Sequence, residues 1–192
     1  MVSKSFKVSF TLDESDVAYF RKLYRTAKQQ SSPEDRPKIL EEVGALVARV
    51  RSAKKASSFV LEAIAILEDL IQMLEDKDYA VPQGAADRAL AALAYFANPE
   101  DMIPDHIPGL GFLDDAIMMK IVEDDFRHEL WAYRKFRKFR EGAEQRPWTS
   151  VARERLPKRL EKYRKELRAK VKAKSAQDKA KPSRAAGRSP GW

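Results

Sequence analysis

Apolar residues recur at helical spacing in the first half of the chain. The pattern predicts a first helix that follows an N-cap at Asp13, carries acidic residues in its first turn and ends near residues 31–33. Apolar positions three and four apart then mark residues 39–50 and residues 60–74. These two stretches predict either two helices or one long bent helix.

The second half of the chain continues the helical pattern. We predict one helix at about residues 85–96 and another from near Phe112 to beyond Arg140, after which Gly142 and Pro147 interrupt it. A basic amphipathic helix is predicted over residues 150–172. Its apolar stripe consists of Leu156, Leu160, Tyr163, Leu167 and Val171. The fold class is therefore mainly α: a bundle of five or six helices, with residues 1–149 as the helical domain.

The two ends of the chain depart from this pattern. Residues 173–192 are dominated by alanine, lysine, proline, serine and glycine, which predicts a disordered basic tail. At the amino terminus, apolar and polar residues alternate with a period of two, which predicts a short strand. The apolar positions of that strand are Phe6, Val8, Phe10 and Leu12.

The predicted strand needs a partner for its backbone hydrogen-bonding groups. We favour packing within its own domain. The alternative is pairing across a twofold axis in a homodimer, as in ribbon-helix-helix DNA-binding proteins. In that arrangement Lys7, Ser9 and Thr11 would face the bases.

The segment between the helices at 85–96 and 112–140 is rich in proline, glycine and acidic residues. Each proline fixes its own φ and disfavours the helical conformation of the residue before it. The segment is therefore predicted to be a rigid proline-rich elbow between two helices. Its motif positions are Pro99, Asp101, Ile103, Pro104, Asp105, Ile107, Pro108, Gly109, Gly111, Asp114 and Asp115.

This elbow resembles the signature of the YkvA-like family, a bacterial helical domain of unknown function. The resemblance is strongest from about residue 85 to residue 140, which we take as a YkvA-like core. It implies a helical hairpin and assigns no activity. Some members carry more apolar flanking helices and look membrane-associated, whereas Asp87, Lys120 and Glu123 are among the charges that interrupt those faces here.

The composition and the length of the apolar runs indicate where in the cell the protein is expected. The absence of cysteine excludes disulfides and thiolate metal sites. The longest apolar run has nine residues, from Ala89 to Ala97, far short of the roughly 20 that a membrane-spanning helix needs. We therefore expect no transmembrane segment and a cytoplasmic location, with peripheral attachment to a membrane left open.

Charge is divided unevenly along the chain. Residues 1–129 carry 16 Lys and Arg against 23 Asp and Glu, whereas residues 130–192 carry 21 against 6. A basic segment of this density is typical of a surface that binds a polyanion, either nucleic acid or an anionic membrane. The candidate polyanion-binding residues are Arg134, Lys135, Arg137, Lys138, Lys158, Arg159, Lys162, Arg164, Lys165 and Arg168.

Aromatic residues are interleaved with this basic sequence, which could allow stacking on bases. Phe136 and Phe139 lie three apart and share a helix face, so we favour their burial in the core. The favoured function is a non-enzymatic interaction module for an unidentified macromolecule, and no cofactor is expected.

A metal-dependent hydrolase is the alternative from another class. Its divalent cation would be held by Asp101, Asp105, His106, Asp114 and Asp115. Helix capping accounts for most of the same acidic residues, and no catalytic triad or phosphate-binding glycine loop is discernible. The second histidine, His128, follows Asp124 by four residues, which predicts a contact within the helix.

Overall fold

The computed structural model describes residues 11–30, 35–53, 56–97, 103, 107, 110–145 and 150–180. Within these ranges the chain forms six helices and no strand. The helices are α1 (Glu14–Gln30), α2 (Arg36–Ser52), α3 (Ser58–Glu75), α4 (Gln83–Phe96), α5 (Leu113–Glu144) and α6 (Ser150–Ala180). The predicted helical bundle is confirmed.

Side-chain caps define two of the helix starts. The backbone N–H groups of Ser15 and Asp16 donate to the Asp13 Oδ1 atom at 2.7 and 3.0 Å, as the sequence predicts. The Asp16 carboxylate accepts in return from the Asp13 N–H at 3.0 Å, which makes the cap reciprocal. At α3 the Ser57 hydroxyl accepts from the Val60 N–H at 3.2 Å. This cap helps separate α3 from α2, so the two apolar stretches form two helices.

Helices α3 and α5 form the centre of the bundle and pack most extensively against each other. Each is apolar around much of its circumference where they meet, and α2 and α4 cover the remaining faces of α3. Helix α1 lies mainly on α4, and α6 lies on α5. Phe136 is fully buried and Phe139 partly buried in this core, which confirms that their apolar rings pack inside.

Two boundaries in the second half differ from the prediction. Gly142 lies inside α5, which continues to Glu144, because one glycine costs a helix only about 1 kcal/mol. Helix α6 continues to Ala180, so the first eight residues of the predicted tail are helical. Contacts made by Asp178, described below, hold this extension, and residues 181–192 lie outside the described part.

The predicted strand and the elbow fall largely outside the described residues. Thr11 and Leu12, the described end of the strand, are not in a strand. The expected DNA-binding residues Lys7 and Ser9 lie outside the description. At the end of the elbow the Gly111 N–H donates to the Ile107 carbonyl at 2.9 Å, which closes a turn before α5. No helix in the described ranges is both long and apolar enough to cross a bilayer.

Candidate polyanion interface

Two of the predicted polyanion-binding arginines on α5 pair with a buried carboxylate of α3. The Arg134 Nε atom donates to Asp69 Oδ2 at 2.6 Å, and Arg137 Nη1 donates to Asp69 Oδ1 at 2.9 Å. Asp69 belongs to α3 and is only 7% exposed. Arg134 also lies 3.4 Å from Glu123, and Arg137 donates to the Gln72 side chain at 2.7 Å. These guanidinium groups therefore join α5 to α3.

A third arginine on the same stripe extends this pairing. Two nitrogen atoms of Arg140 lie 2.8 Å from the two carboxylate oxygens of Asp76, just beyond the end of α3. Burial alone would raise the pKa of Asp76. The hydrogen bonds from Arg140 and from the backbone N–H groups of Tyr79 and Asp78 outweigh burial, so this pKa lies below its usual value. Asp76 is consequently ionised throughout the neutral range.

Asp76 also organises the loop between α3 and α4. Its Oδ1 atom accepts from the backbone N–H groups of Asp78 and Tyr79, both at 3.0 Å. The Tyr79 ring is buried, and its centroid lies 5.2 Å from those of Tyr133 and Phe136. Burial raises the pKa of Tyr79 to about 12, so its hydroxyl stays neutral. Ala80 follows with φ at 44°, in the left-handed region.

Helix α6 contacts this loop through two arginines. Arg164 donates to the Asp78 carbonyl at 2.8 Å, and Arg168 donates to the carbonyls of Tyr79 and Ala80. Burial, together with the nearby charge of Arg164, lowers the pKa of Arg168. Both predicted polyanion-binding residues therefore face the body of the protein.

Contacts between aromatic rings, and between cations and aromatic rings, add to the packing of α6 on α5. The ring centroids of Phe139 and Tyr163 lie 4.4 Å apart, and the Arg159 guanidinium lies 5.7 Å from the Phe139 centroid. Farther along, the Lys174 ammonium lies 4.9 Å from the Trp131 ring centroid.

The end of α6 meets the first half of α5 at Asp178. Its Oδ2 atom lies 2.6 Å from Arg127 Nη2 and 2.6 Å from His128 Nε2. The predicted partner of His128, Asp124, instead pairs with Arg127 at 2.9 Å. His128 therefore contacts a carboxylate of α6 that lies 50 positions away in sequence, a partner that spacing within α5 does not predict.

The remaining basic candidates are lysines, and these point to solvent. The three candidate lysines on α6 lie on the side of the helix that faces solvent. Together with Lys172, on the same side, they form what we call the lysine face. The lysine face consists of Lys158, Lys162, Lys165 and Lys172, all exposed. Lys165 also makes an exposed ion pair with Glu161 at 2.7 Å, which partly offsets its charge. On α5, Lys135 and Lys138 are exposed as well.

The acidic residues of the hydrolase alternative are only partly described. Asp114 and Asp115, in the first turn of α5, are 5% and 7% exposed. The Asp114 Oδ2 atom accepts from the Ile103 N–H at 3.1 Å, which ties the elbow to the helix start. Asp101, Asp105 and His106 lie outside the described residues. Among those described, no three His, Asp or Glu residues are grouped to hold a metal ion.

Sequence reasoning missed Asp69 and Asp76, which determine where the arginines point. Asp69 lies within an apolar helix pattern, and Asp76 in what reads as a break between helices. The available signal is the spacing of seven between Asp69, on α3, and Asp76, just past its end, which is close to the spacing of six between Arg134 and Arg140 on α5. Complementary charges at matched helical spacing indicate two helices that pair side by side.

Comparison with known proteins agrees with the family resemblance. Residues 88–121, from α4 through the elbow into α5, match the model of a family described as a protein of unknown function (DUF1232). The chain is 45% identical over 47 residues to the "Uncharacterized membrane protein YkvA" of Bacillus subtilis (strain 168). That stretch covers 24% of this chain and 44% of the relative, so less than half of the relative is matched. No solved structure matches. The resemblance to the YkvA-like family is confirmed over this segment.

Proposed function

We propose that this protein is a non-enzymatic interaction module that attaches peripherally to an anionic membrane surface through the lysine face of α6. One observation carries the proposal: four of the candidate arginines on α5 and α6 donate to acceptors within the fold, whereas the candidate lysines on the same two helices are all exposed. Of the four lysines in the face, only Lys165 forms an ion pair in the described part of the chain, an exposed one with Glu161. The name of the Bacillus subtilis relative, a membrane protein, favours a bilayer over nucleic acid as the polyanion.

Lysine suits a diffuse anionic surface. Its ammonium group is a compact, hydrated charge that needs no bidentate geometry, unlike the guanidinium of arginine. Each basic residue near such a surface contributes about 1 kcal/mol, so the four lysines of the face contribute roughly 4 kcal/mol. Attraction of this size supports reversible adsorption that weakens as salt screens the charges.

The division of charge also orients the protein on the surface. Helix α6 carries 12 Lys and Arg against 4 Asp and Glu, whereas residues 1–129 carry a net charge of −7. An anionic bilayer attracts the first part and repels the second. The acidic excess lies in residues 98–129, which carry 2 Lys and Arg against 9 Asp and Glu, so the elbow and the first half of α5 are the parts that an anionic bilayer repels.

The test is co-sedimentation of the full chain with vesicles of phosphatidylcholine, with and without phosphatidylglycerol. The triple variant K158Q/K162Q/K165Q removes three charges of the lysine face. We expect it to bind phosphatidylglycerol vesicles about 100-fold more weakly, which corresponds to about 3 kcal/mol. The matched control K22Q/K38Q/K77Q removes three exposed charges elsewhere and should retain most of the affinity.

Comparison of the two triple variants separates the effect of where the removed charges lie from the effect of how many are removed. Equal losses in both variants would contradict a specific role for α6, and equal binding to neutral vesicles would contradict an electrostatic attachment. A duplex DNA fragment tested in parallel addresses the other polyanion. Binding to DNA without binding to phosphatidylglycerol vesicles would replace the membrane with nucleic acid.

A further inference from the structure

Helix α6 is only lightly buried for its length. It has 31 residues, yet among its described side chains only Leu160 and Leu167 are buried in the core. Its helical packing is chiefly against α5. Three further apolar residues are partly buried there: Leu156, Tyr163 and Val171. The helix is therefore held by a narrow apolar stripe and a few polar contacts.

Two of these polar contacts are poorly matched. Arg164 and Arg168 donate to backbone carbonyls, and neither forms an ion pair with a carboxylate in the described part of the chain. The Nε atom of each is buried and makes no hydrogen bond there. A buried donor without an acceptor destabilises the docked arrangement.

The side of α6 that faces α5 has the composition of a helix that lies in a membrane interface. Its apolar stripe is flanked by Arg164 and Arg168, and Tyr163 has the amphipathic ring that is common at the headgroup level. Basic amphipathic helices bind anionic bilayers by burying such a stripe at the boundary between headgroups and acyl chains. The same stripe thus fits two partners, α5 and a bilayer.

We infer that α6 is a releasable membrane anchor: on an anionic bilayer it leaves α5 and inserts its inward apolar stripe, while Arg164 and Arg168 exchange backbone carbonyls for lipid phosphates. This inference rests on the proposed function and adds a second lipid-binding surface to the lysine face. The lysine face makes the first contact, and after release the helix turns so that its apolar stripe, on the opposite side, faces the bilayer.

The bilayer favours release because it offers α6 an apolar environment and phosphate groups in place of its contacts with the bundle, which water does not. In water, an undocked α6 exposes its stripe and that of α5, so docking prevails. At the bilayer only the stripe of α5 loses its cover, because the stripe of α6 stays buried among the lipids, and the two arginines gain charge-assisted bidentate bonds to phosphate. A ligand shifts a conformational equilibrium only through such a difference in affinity for the two states.

Distance measurement between two spin labels tests release directly. The chain has no cysteine, so labels can be placed at E62C on α3 and Q177C near the end of α6, both exposed positions. A helix of 31 residues is about 46 Å long, so release moves residue 177 by tens of ångströms. We expect one well-defined distance in solution and a shift on the order of 20 Å on phosphatidylglycerol vesicles. The control pair E41C/E62C, on α2 and α3, should keep its distance.

The two proposals fail in different ways. Vesicle binding with an unchanged E62C/Q177C distance overturns release and leaves attachment through the lysine face standing. Absence of vesicle binding overturns both. A shift in the control pair as well would indicate unfolding of the bundle and would also overturn release.

The contact at Asp178 supplies a second variant. Asp178→Ala removes the partner of Arg127 and His128, so release should require less phosphatidylglycerol in the vesicles. Glu166→Ala, an exposed acid on the same helix, changes the net charge equally and leaves the Asp178 contact intact. Equal lipid requirements in these two variants would contradict a role for that contact in holding α6.

Discussion

Replacement of Asp76 by alanine should destabilise the bundle more than any exposed charge change nearby. The Asp76 side chain is only 6% exposed and lies 2.8 Å from two nitrogen atoms of Arg140, which is 21% exposed. It also accepts from the backbone N–H groups of Asp78 and Tyr79 at 3.0 Å. One substitution therefore removes an ion pair and two hydrogen bonds that hold the α3–α4 loop.

The magnitude follows from these contacts. Removing one partner of a buried ion pair costs about 3–5 kcal/mol. The cost is lower here because Arg140 remains partly exposed to solvent and keeps a second carboxylate, that of Asp78, at 3.3 Å. Loss of the acceptor for the two loop N–H groups adds about 1 kcal/mol. We expect Asp76→Ala to lower the free energy of unfolding by about 2–4 kcal/mol at neutral pH.

The effect should depend on pH in one direction. The pKa of Asp76 in the folded protein lies below its usual value because Arg140 and the loop N–H groups outweigh the effect of burial. The stability from this carboxylate is therefore fully present above the pKa of the unfolded chain and is lost as pH falls through the folded pKa. The difference between wild type and Asp76→Ala should shrink as the pH falls below about 4.

Urea unfolding followed by far-ultraviolet circular dichroism measures both quantities. Asp78→Ala is the matched control, because Asp78 also contacts Arg140 but its side chain is 60% exposed. We expect this control to cost less than about 1 kcal/mol. Equal losses for the two variants, or a loss for Asp76→Ala that grows on acidification, would refute the reasoning.

Three further predictions concern other contacts. Asp69→Ala should cost about 2–3 kcal/mol in urea unfolding because it removes the buried carboxylate that two arginines share. Glu68→Ala breaks an exposed ion pair with Arg51 and should cost less than about 1 kcal/mol. Similar losses for the two variants would contradict the account. Asp114→Ala should cost about 1–2 kcal/mol through its bond to Ile103, equally with and without a chelator in a thermal melt. A loss that appears only without chelator would instead support the metal-dependent alternative. Ala80→Gly should raise the free energy of unfolding by about 0.5–1 kcal/mol because φ is 44° there, and a destabilised variant would contradict the strain.

The helices could be predicted from the sequence because each has a continuous apolar face or a cap that acts locally. The Asp13 cap and the stripe of α6 from Leu156 to Val171 are examples, and both are confirmed. The end of α6 could not be predicted in this way. Alanine, lysine and serine after residue 172 give no apolar pattern, and the contact of Asp178 with Arg127 joins residues 51 positions apart.

Only part of the candidate interface could be predicted, because the exposure of each basic side chain also depends on contacts between distant residues. Composition identifies the basic third of the chain, but it does not distinguish a guanidinium that faces a carboxylate from an ammonium that faces water. Arg134 and Lys135 are neighbours in sequence, yet only Arg134 meets Asp69 of α3. That distinction depends on which helices pack together, and it separates structural arginines from the exposed lysine face.

The most direct test of the account is the affinity of the intact chain for phosphatidylglycerol vesicles at low and high salt, compared with the variant K158Q/K162Q/K165Q. We predict that the wild-type chain binds at about 0.1 M salt, where the Debye length is about 10 Å, and is released at about 1 M, where it is about 3 Å. The variant should bind about 100-fold more weakly at the lower salt concentration. Binding that is insensitive to both salt and the substitutions would contradict attachment through the lysine face.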